Sequence, residues 1–565
     1  MGRWWKSGHI SKLGLVSRET LAAGSVAALL LVAACGDDAD KAAGENAAET
    51  VSAVVIDPAE APIIQKATEE YLQLAAGNAE QRIIHFSAVK VTPGSDAFDV
   101  AIENLVVGVK IGDQWADSRL EVGTVTYRLV PTEGKGYRAS DLKHAAEMPV
   151  LDKDNKKTGI FGMTTKAFSA DWSTEIGNVM NLDWQAASIA VSPLDAAGVP
   201  DAKAGGLQIA SVDWKTTSAD KGNGVYDQIS TFSAGDFLIK TTDGVNVKIG
   251  KVSGSGGYTD IKLKEAAAKG REVQKLMSDM AERSEAAKQA AATAGNGTAT
   301  DPANPPVPAP MSPEEAKQMG DLIKSIAGLF GGFSYDVAME NLHTTDLSGT
   351  EPFSLAKIGF AMGIAGLNTE KAAVNLGFSH DGLKISSPEL NQLPLFAKLL
   401  PASGKLDLNL ADVPSKELWQ LLGDNFPTLV SSNPAQAEAA AGVMFIAMQQ
   451  LLQKAPMKLT VAPSGLSSEV LQLDATGAFD VKPDAVFGLV GALDIGLHGL
   501  DEAMKLANEA AQSSPEAAQI VGGLAMIQSM AKREDGSDGK PVDKLKLEVD
   551  AMGDAKVNGM SLSGM

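Results

Sequence analysis

The sequence predicts an α+β, β-rich chain: two related lobes of long antiparallel meandering sheet, open groove or closed sandwich, with a few covering and linking helices. Three observations predict it: a dominant hydrophobic period of two, a low-complexity stretch dividing the chain, and an octapeptide that occurs once in each half. Period two marks strands with one buried face. Phe98, Val100 and Ile102 alternate with Asp99, Ala101 and Glu103. Val374, Leu376 and Phe378 precede Asp381-Gly382, with Leu383 and Ile385 after it. Asp-Gly between alternating runs reads as a hairpin turn. The same construction places Phe237 and Ile239 before Asp243-Gly244, and Val245, Val247 and Ile249 behind it. Leu120 and Val122 fall out of phase with Val125, Tyr127 and Leu129, so a bulge near Gly123 is expected to keep both sets on one face.

The chain has 565 residues, several times a typical domain of roughly 150. Ala286 to Pro310, rich in Ala, Gly, Thr and Pro, is expected to act as a linker across 286–311, between lobes at 53–285 and 312–565. Leu263 to Ala292 reads as a polar helix before it. Ser312-Pro313-Glu314-Glu315 starts a helix after it, with Ser as N-cap, Pro at N1 and Glu at N3. Phe98 to Leu105 (FDVAIENL) returns as Tyr335 to Leu342 (YDVAMENL), identical at six of eight positions, which reads as an old duplication. Helices are expected ahead of both copies, over Ala59 to Ala76 and Pro313 to Leu329, with a strand-like stretch around Ile83 to Val91 in the first half. Gly404 to Leu410 and Gly491 to Leu497 repeat a strand that leads into a helix. Further helices are expected over Pro434 to Lys454 and Leu500 to Arg533, the latter restarting at Ser514-Pro515-Glu516.

The N-terminus carries Arg3, Lys6, Lys12 and Arg18 against Glu19, followed by the 14-residue apolar run Leu21–Ala34. A bilayer span needs about 20 apolar residues, so the run suits the h-region of an export signal at 1–34. It ends in Val32-Ala33-Ala34-Cys35, which resembles the lipobox of bacterial lipoproteins. The resemblance implies lipidation of Cys35, the chain's single cysteine, after cleavage behind Ala34. Gly36 rather than Asp after the cysteine implies the outer membrane, with the protein facing the periplasm of a Gram-negative envelope. Residues 35–52, acidic and small, read as a tether.

Chemistry is sparse. A net charge of −21 opposes nucleic-acid binding, and one cysteine excludes disulfides and thiol zinc sites. His85, His144, His343, His380 and His498 show no metal-ligand spacing, so no metal and no cofactor are expected. Ser253 and Ser255 sit in a Gly-rich stretch, Val252 to Gly257, that reads as a loop without the context of a nucleophile elbow. Asp152 to Gly159 looks like a calcium loop but has Lys156 and Met163 where oxygen ligands belong, and reads as a turn. Glu534 to Gly539 reads as a helix-ending acidic loop. No catalytic residue is nominated, and no enzymatic activity is expected.

The Gly-x-Leu-Asp-Leu-x-Leu strands before helices, with Asp-Gly followed by Leu-x-Ile, resemble YdgA-like and AsmA-like envelope proteins over about residues 331 to 505. Most such proteins begin with a transmembrane helix where this chain has a lipobox. The resemblance implies a long twisted sheet whose apolar concave face handles lipid. Val374, Leu376, Phe378, Leu383 and Ile385 are the lipid-facing candidates. The alternative expectation is a non-enzymatic structural or assembly factor that engages another envelope protein. Cys35→Ala is expected to abolish incorporation of labelled palmitate and flotation with membranes; equal labelling of wild type and variant would refute the lipobox.

Overall fold

The computed structural model describes residues 56–562 apart from 76–82, 112–113, 116–117, 133–135, 202, 294–310, 388–389, 391–393, 431–433, 513–514 and 537–538. The expected signal segment, Cys35, the expected tether and most of the expected linker lie outside the described residues. The fold is α+β and sheet-dominated, and its strands pair antiparallel. It divides into two compact units. The first takes the residues up to Asn246 with the helix that starts at Leu263; the second takes Val247–Lys262 and the chain from Met311 on.

In the first unit a 3-10 turn (Pro58–Glu60) and α1 (Ala61–Ala75) precede the strands. These are β1 (Ile84–His85), β2 (Ala88–Pro93), β3 (Phe98–Val107), β4 (Lys110–Ile111), β5 (Gln114–Trp115), β6 (Arg119–Thr132), β7 (Gly136–Lys143), β8 (Glu147–Leu151), β9 (Lys157–Ser173), β10 (Asn178–Pro193), β11 (Gly206–Gly222) and β12 (Val225–Lys240). β3 pairs with β1 and β2 on one side and β6 on the other. β7 and β8 link β6 to β9, and β10, β11 and β12 follow in succession. The alternation seen in sequence is realised here: Phe98, Val100 and Ile102 are buried with Val125, Tyr127, Phe161 and Trp184. Ile64 and Leu72 of α1 close this core. Tyr71 meets Trp172 edge-on at 5.7 Å, and the Tyr137 hydroxyl donates to Glu60 at 2.8 Å. Each such buried large side chain contributes roughly 1.5–3 kcal/mol.

The expected bulge is present. Leu105 faces Gly123 and Val106 faces Glu121, leaving Val122 over. Both octapeptides place their Asn in the left-handed region, Asn104 at φ 51° and Asn341 at φ 56°. Asp141, Ser188, Asp236, Asp260 and Asp412 do the same in other strands, as short polar side chains tolerate αL better than branched ones.

The second unit contains β13 (Asn246–Ile261), α3 (Pro313–Ile326), β14 (Gly332–Thr345), β15 (Phe353–Ala365), β16 (Ala372–Asp381), β17 (Lys384–Ile385), α4 (Pro394–Leu399), β18 (Ser403–Val413), α5 (Ser415–Leu429), α6 (Pro434–Lys454), β19 (Lys458–Ser467), β20 (Gln472–Val481), β21 (Leu489–His498), α7 (Leu500–Ala511), α8 (Pro515–Met530), β22 (Lys532–Asp535), β23 (Pro541–Val549), β24 (Ala555–Val557) and β25 (Met560–Ser561). α2 (Leu263–Thr293) separates β13 from α3. The ladder runs β14, β15, β16, β18, β19, β20, β21, β23, β24. β13 joins this unit because its end bonds to the start of β14: Gly331 N–H donates to the Thr259 carbonyl at 2.7 Å and Lys262 N–H to Leu329 at 2.8 Å. Ser312 caps α3 with the reciprocal Glu315 bond of a capping box. α3 crosses α5 at Gly320 and Gly423, where an added Cβ at Gly320 would stand 2.4 Å from the Gly423 carbonyl oxygen.

Three expectations are corrected. Asp381-Gly382 is not a hairpin turn: Lys357 faces Asp381 and Ser354 faces Lys384, so β17 continues β16 along the same side of β15. Gly382 (φ 66°) makes a break in that line instead, over Ala356. The Val252 to Gly257 stretch is strand rather than loop, because β14 lies beside it and the Ser255 hydroxyl donates to Asp336. The helix expected over Leu263 to Ala292 is present and runs to Thr293. The last helical stretch ends at Met530, and Arg533 lies in β22, where it pairs with Asp501. Asp243-Gly244 does turn, with Thr241 N–H on the Val245 carbonyl at 2.9 Å.

Phe98→Ala is expected to cost about 3–5 kcal/mol as a large-to-small change in a closed core. Phe378→Ala, 44% exposed, is expected to cost under about 1 kcal/mol. Urea denaturation of the two variants checks the contrast.

Candidate functional site: an open apolar sheet face

Residues directly opposite in an antiparallel ladder share a face, so the registers sort the second unit's strands into two surfaces. One row of partners is Tyr335, Met362, Leu376 and Leu408, continuing through Val461 to Leu493 and Leu547. A second is Val337, Phe360, Phe378 and Leu406. The opposite surface carries Asp336, Ala361, Gly377 and Asp407, and next to them Asn375 and Asn409, whose amides bond each other. One face is therefore apolar and the other polar over the breadth of the ladder.

The apolar face is open. Phe360 is 41% exposed, Leu376 41%, Phe378 44% and Leu406 45%. Among the described residues no helix of this unit packs extensively on a strand: α3 packs on α5, α5 on α6, α7 on α8, and α4 on α7. The apolar sides of α4, α7 and α8 satisfy one another, as Leu395, Leu500, Ala503 and Ala517 show. Contiguous exposed apolar surface marks interaction sites or ligand grooves.

Of the five lipid-facing candidates, Val374, Leu376 and Phe378 stand in line along β16. Leu383 follows the Gly382 break and bonds through its N–H to the Ala402 carbonyl at 2.9 Å. Ile385 pairs with Phe353 in β17. The structure thus brings three together on one strand and sets the other two further along the same line. Phe360 and Leu406, which complete the row with Phe378, carried no signal beyond alternation within their own strands.

His380 extends the β16 line, its ring 6.2 Å from that of Phe378 and its Nδ1 buried without a hydrogen-bond partner. A hollow of about 530 Å³ lies beside it, lined by Gly404, Leu466 and Leu473 among others, within the size range of small-molecule sites. The other histidines are occupied locally. His85 Nε2 meets the Gly108 carbonyl at 3.2 Å, His144 meets Thr165 at 2.9 Å, and His498 pairs with Asp474 at 2.9 Å. His343 pairs with Glu351 and holds its carboxyl below the usual carboxylate range. The Asp152 to Gly159 segment is a turn in which the Asp152 carboxylate accepts from the Asp154 and Lys156 amides. Among the described residues no three His, Cys, Asp or Glu side chains group to hold a metal.

No protein-family model, no curated protein and no solved structure matches the chain. The resemblance to YdgA-like and AsmA-like proteins therefore rests on the strand-helix motifs alone.

Leu376→Asp is expected to leave expression and melting temperature nearly unchanged, since its charge stays in water. Val100→Asp, at a buried position, is expected to abolish soluble expression, as an unpaired buried charge is severe. Expression and thermal melts of both variants check this.

Proposed function

We propose that the second unit binds lipid acyl chains on its open apolar face, in a non-enzymatic lipoprotein anchored through Cys35 and facing the periplasm, at the outer membrane. The observation that carries this reading is the row Phe360, Phe378 and Leu406 beside Leu376, all more than two-fifths exposed on one sheet face. Aliphatic side chains prevail there, and acyl chains need apolar contact without directional bonding. The polar reverse face and a net charge of −21 keep such a molecule dispersed in water.

Native mass spectrometry of the gently purified full chain is expected to show copurifying lipid. The pair Phe378→Asp and Leu406→Lys, opposite charges at directly opposed positions, is expected to reduce that lipid at least tenfold while the melting temperature holds. Lipid-free wild type would overturn the reading and favour a scaffold that engages another envelope protein.

A further inference from the structure

Resting on that reading, one end of the second unit's sheet carries apolar side chains of a different kind. At this end β20 turns into β21 through residues 482–488, β23 turns into β24 through 550–554, and α6 hands over to β19. The two turns lie together, with Val486 N–H directed at the Ala551 carbonyl. Each is closed by its own bonds: Lys482 N–H reaches the Gly488 carbonyl at 2.9 Å, and the Asp550 carboxylate accepts from Met552 and Asp554 amides at 2.9 and 3.0 Å.

Turn tips are ordinarily polar, and nothing in this bonding asks for an apolar tip. Yet Val486 is 68% exposed, Phe487 59% and Met552 85%. α6 adds Val443, Phe445 and Ile446 on its outward side, with Ala440 buried. Between Glu438 and Lys454 that helix has no charged residue. A helix apolar on its outward side as well as its packed side wants cover, and among the described residues no helix is long and apolar enough to cross a membrane.

We propose that this end docks shallowly into a lipid bilayer of zwitterionic composition. Projecting single side chains on rigid turns suit a fluid apolar medium; a protein partner would need a matching pocket for each tip. The charges beside the tips hold one cation against two carboxylates: Lys556 meets Asp554 at 3.1 Å and Asp550 at 3.8 Å, and Ser561 and Lys556 hold the Asp554 carboxyl below the usual range. No basic excess selects anionic lipid here. The apolar face also leads to the tips, because Val481 and Leu489, the last pair before the turn, continue the line of Gly477 and Leu493. A lipid lifted from the bilayer at this end would meet the open face directly.

The test uses the full chain with Cys35→Ser and one new cysteine carrying an environment-sensitive fluorophore, either Met552→Cys or, at the opposite end, Leu347→Cys, itself 81% exposed. With phosphatidylcholine vesicles, emission from the Met552 position is expected to rise several-fold and shift to the blue, with the Leu347 position unchanged. Equal responses, no response, or a Met552 response that follows protein concentration without vesicles would overturn the proposal. Val486→Asp with Phe487→Asp is expected to remove the vesicle response and leave copurified lipid on the face. A Met552 label that inserts in a chain free of copurified lipid would refute acyl binding and leave the docking end standing.

Discussion

Strand-to-strand pairing is the constraint on which the second unit depends. Its ladder of nine consecutive antiparallel neighbours has no covering layer of helix among the described residues, so backbone bonding and lateral side-chain contact hold it. Phe360, Phe378 and Leu406 stand opposite one another along the row and leave much of their surface free. Cross-strand pairs of this type contribute roughly 0.2–1 kcal/mol each, and the ladder needs many of them. The length of the sheet is therefore part of its stability.

The first unit solves the same hydrophobic pattern differently. Its strands alternate as cleanly as those of the second, but α1 supplies Ile64 and Leu72 across them, and Trp184 and Phe161 fill the interior. In the second unit, α4, α7 and α8 spend apolar sides on each other instead of on the sheet. Gly320 and Gly423 let α3 and α5 approach at backbone distance, and Ala503, Ala507 and Ala517 do so for α7 and α8. Small residues at helix crossings thus free the sheet face.

This difference explains what could be read from the sequence and what could not. Local signals were legible: the Ser312 capping box, the helix from Pro434 to Lys454, and the bulge at Gly123 depend on neighbours within a few residues. Asn223-Gly224, with φ of 57° and 74° between β11 and β12, is a local signal of the same kind that went unread above. Asp381-Gly382 misled because a positive-φ glycine suits a turn and a break equally; only the partner strand β15 decides between them. The glycine-rich run through Ser253 and Ser255 became strand because β14 supplied its bonds, a tertiary effect that overrides propensity. Whether the row at Leu376 lies open or closed depends on helix-helix packing far away in sequence, which period-two alternation does not encode.

An open apolar face must also avoid its own kind, since exposed sheet surface invites association. Here the reverse surface is polar, with Asp336, Asp407, Asn375 and Asn409 across adjacent strands, so stacking two copies in the same sense would set an apolar surface against an acidic one. Face-to-face contact is opposed by a net charge of −21 over the whole chain, a long-range term that a neutral acyl chain does not feel. Charge thus discriminates between the two ways of covering the face: it penalises a second copy and is indifferent to a small uncharged tail. On a strongly acidic body, net charge therefore weighs against self-association through an apolar stripe without weighing against a neutral apolar ligand.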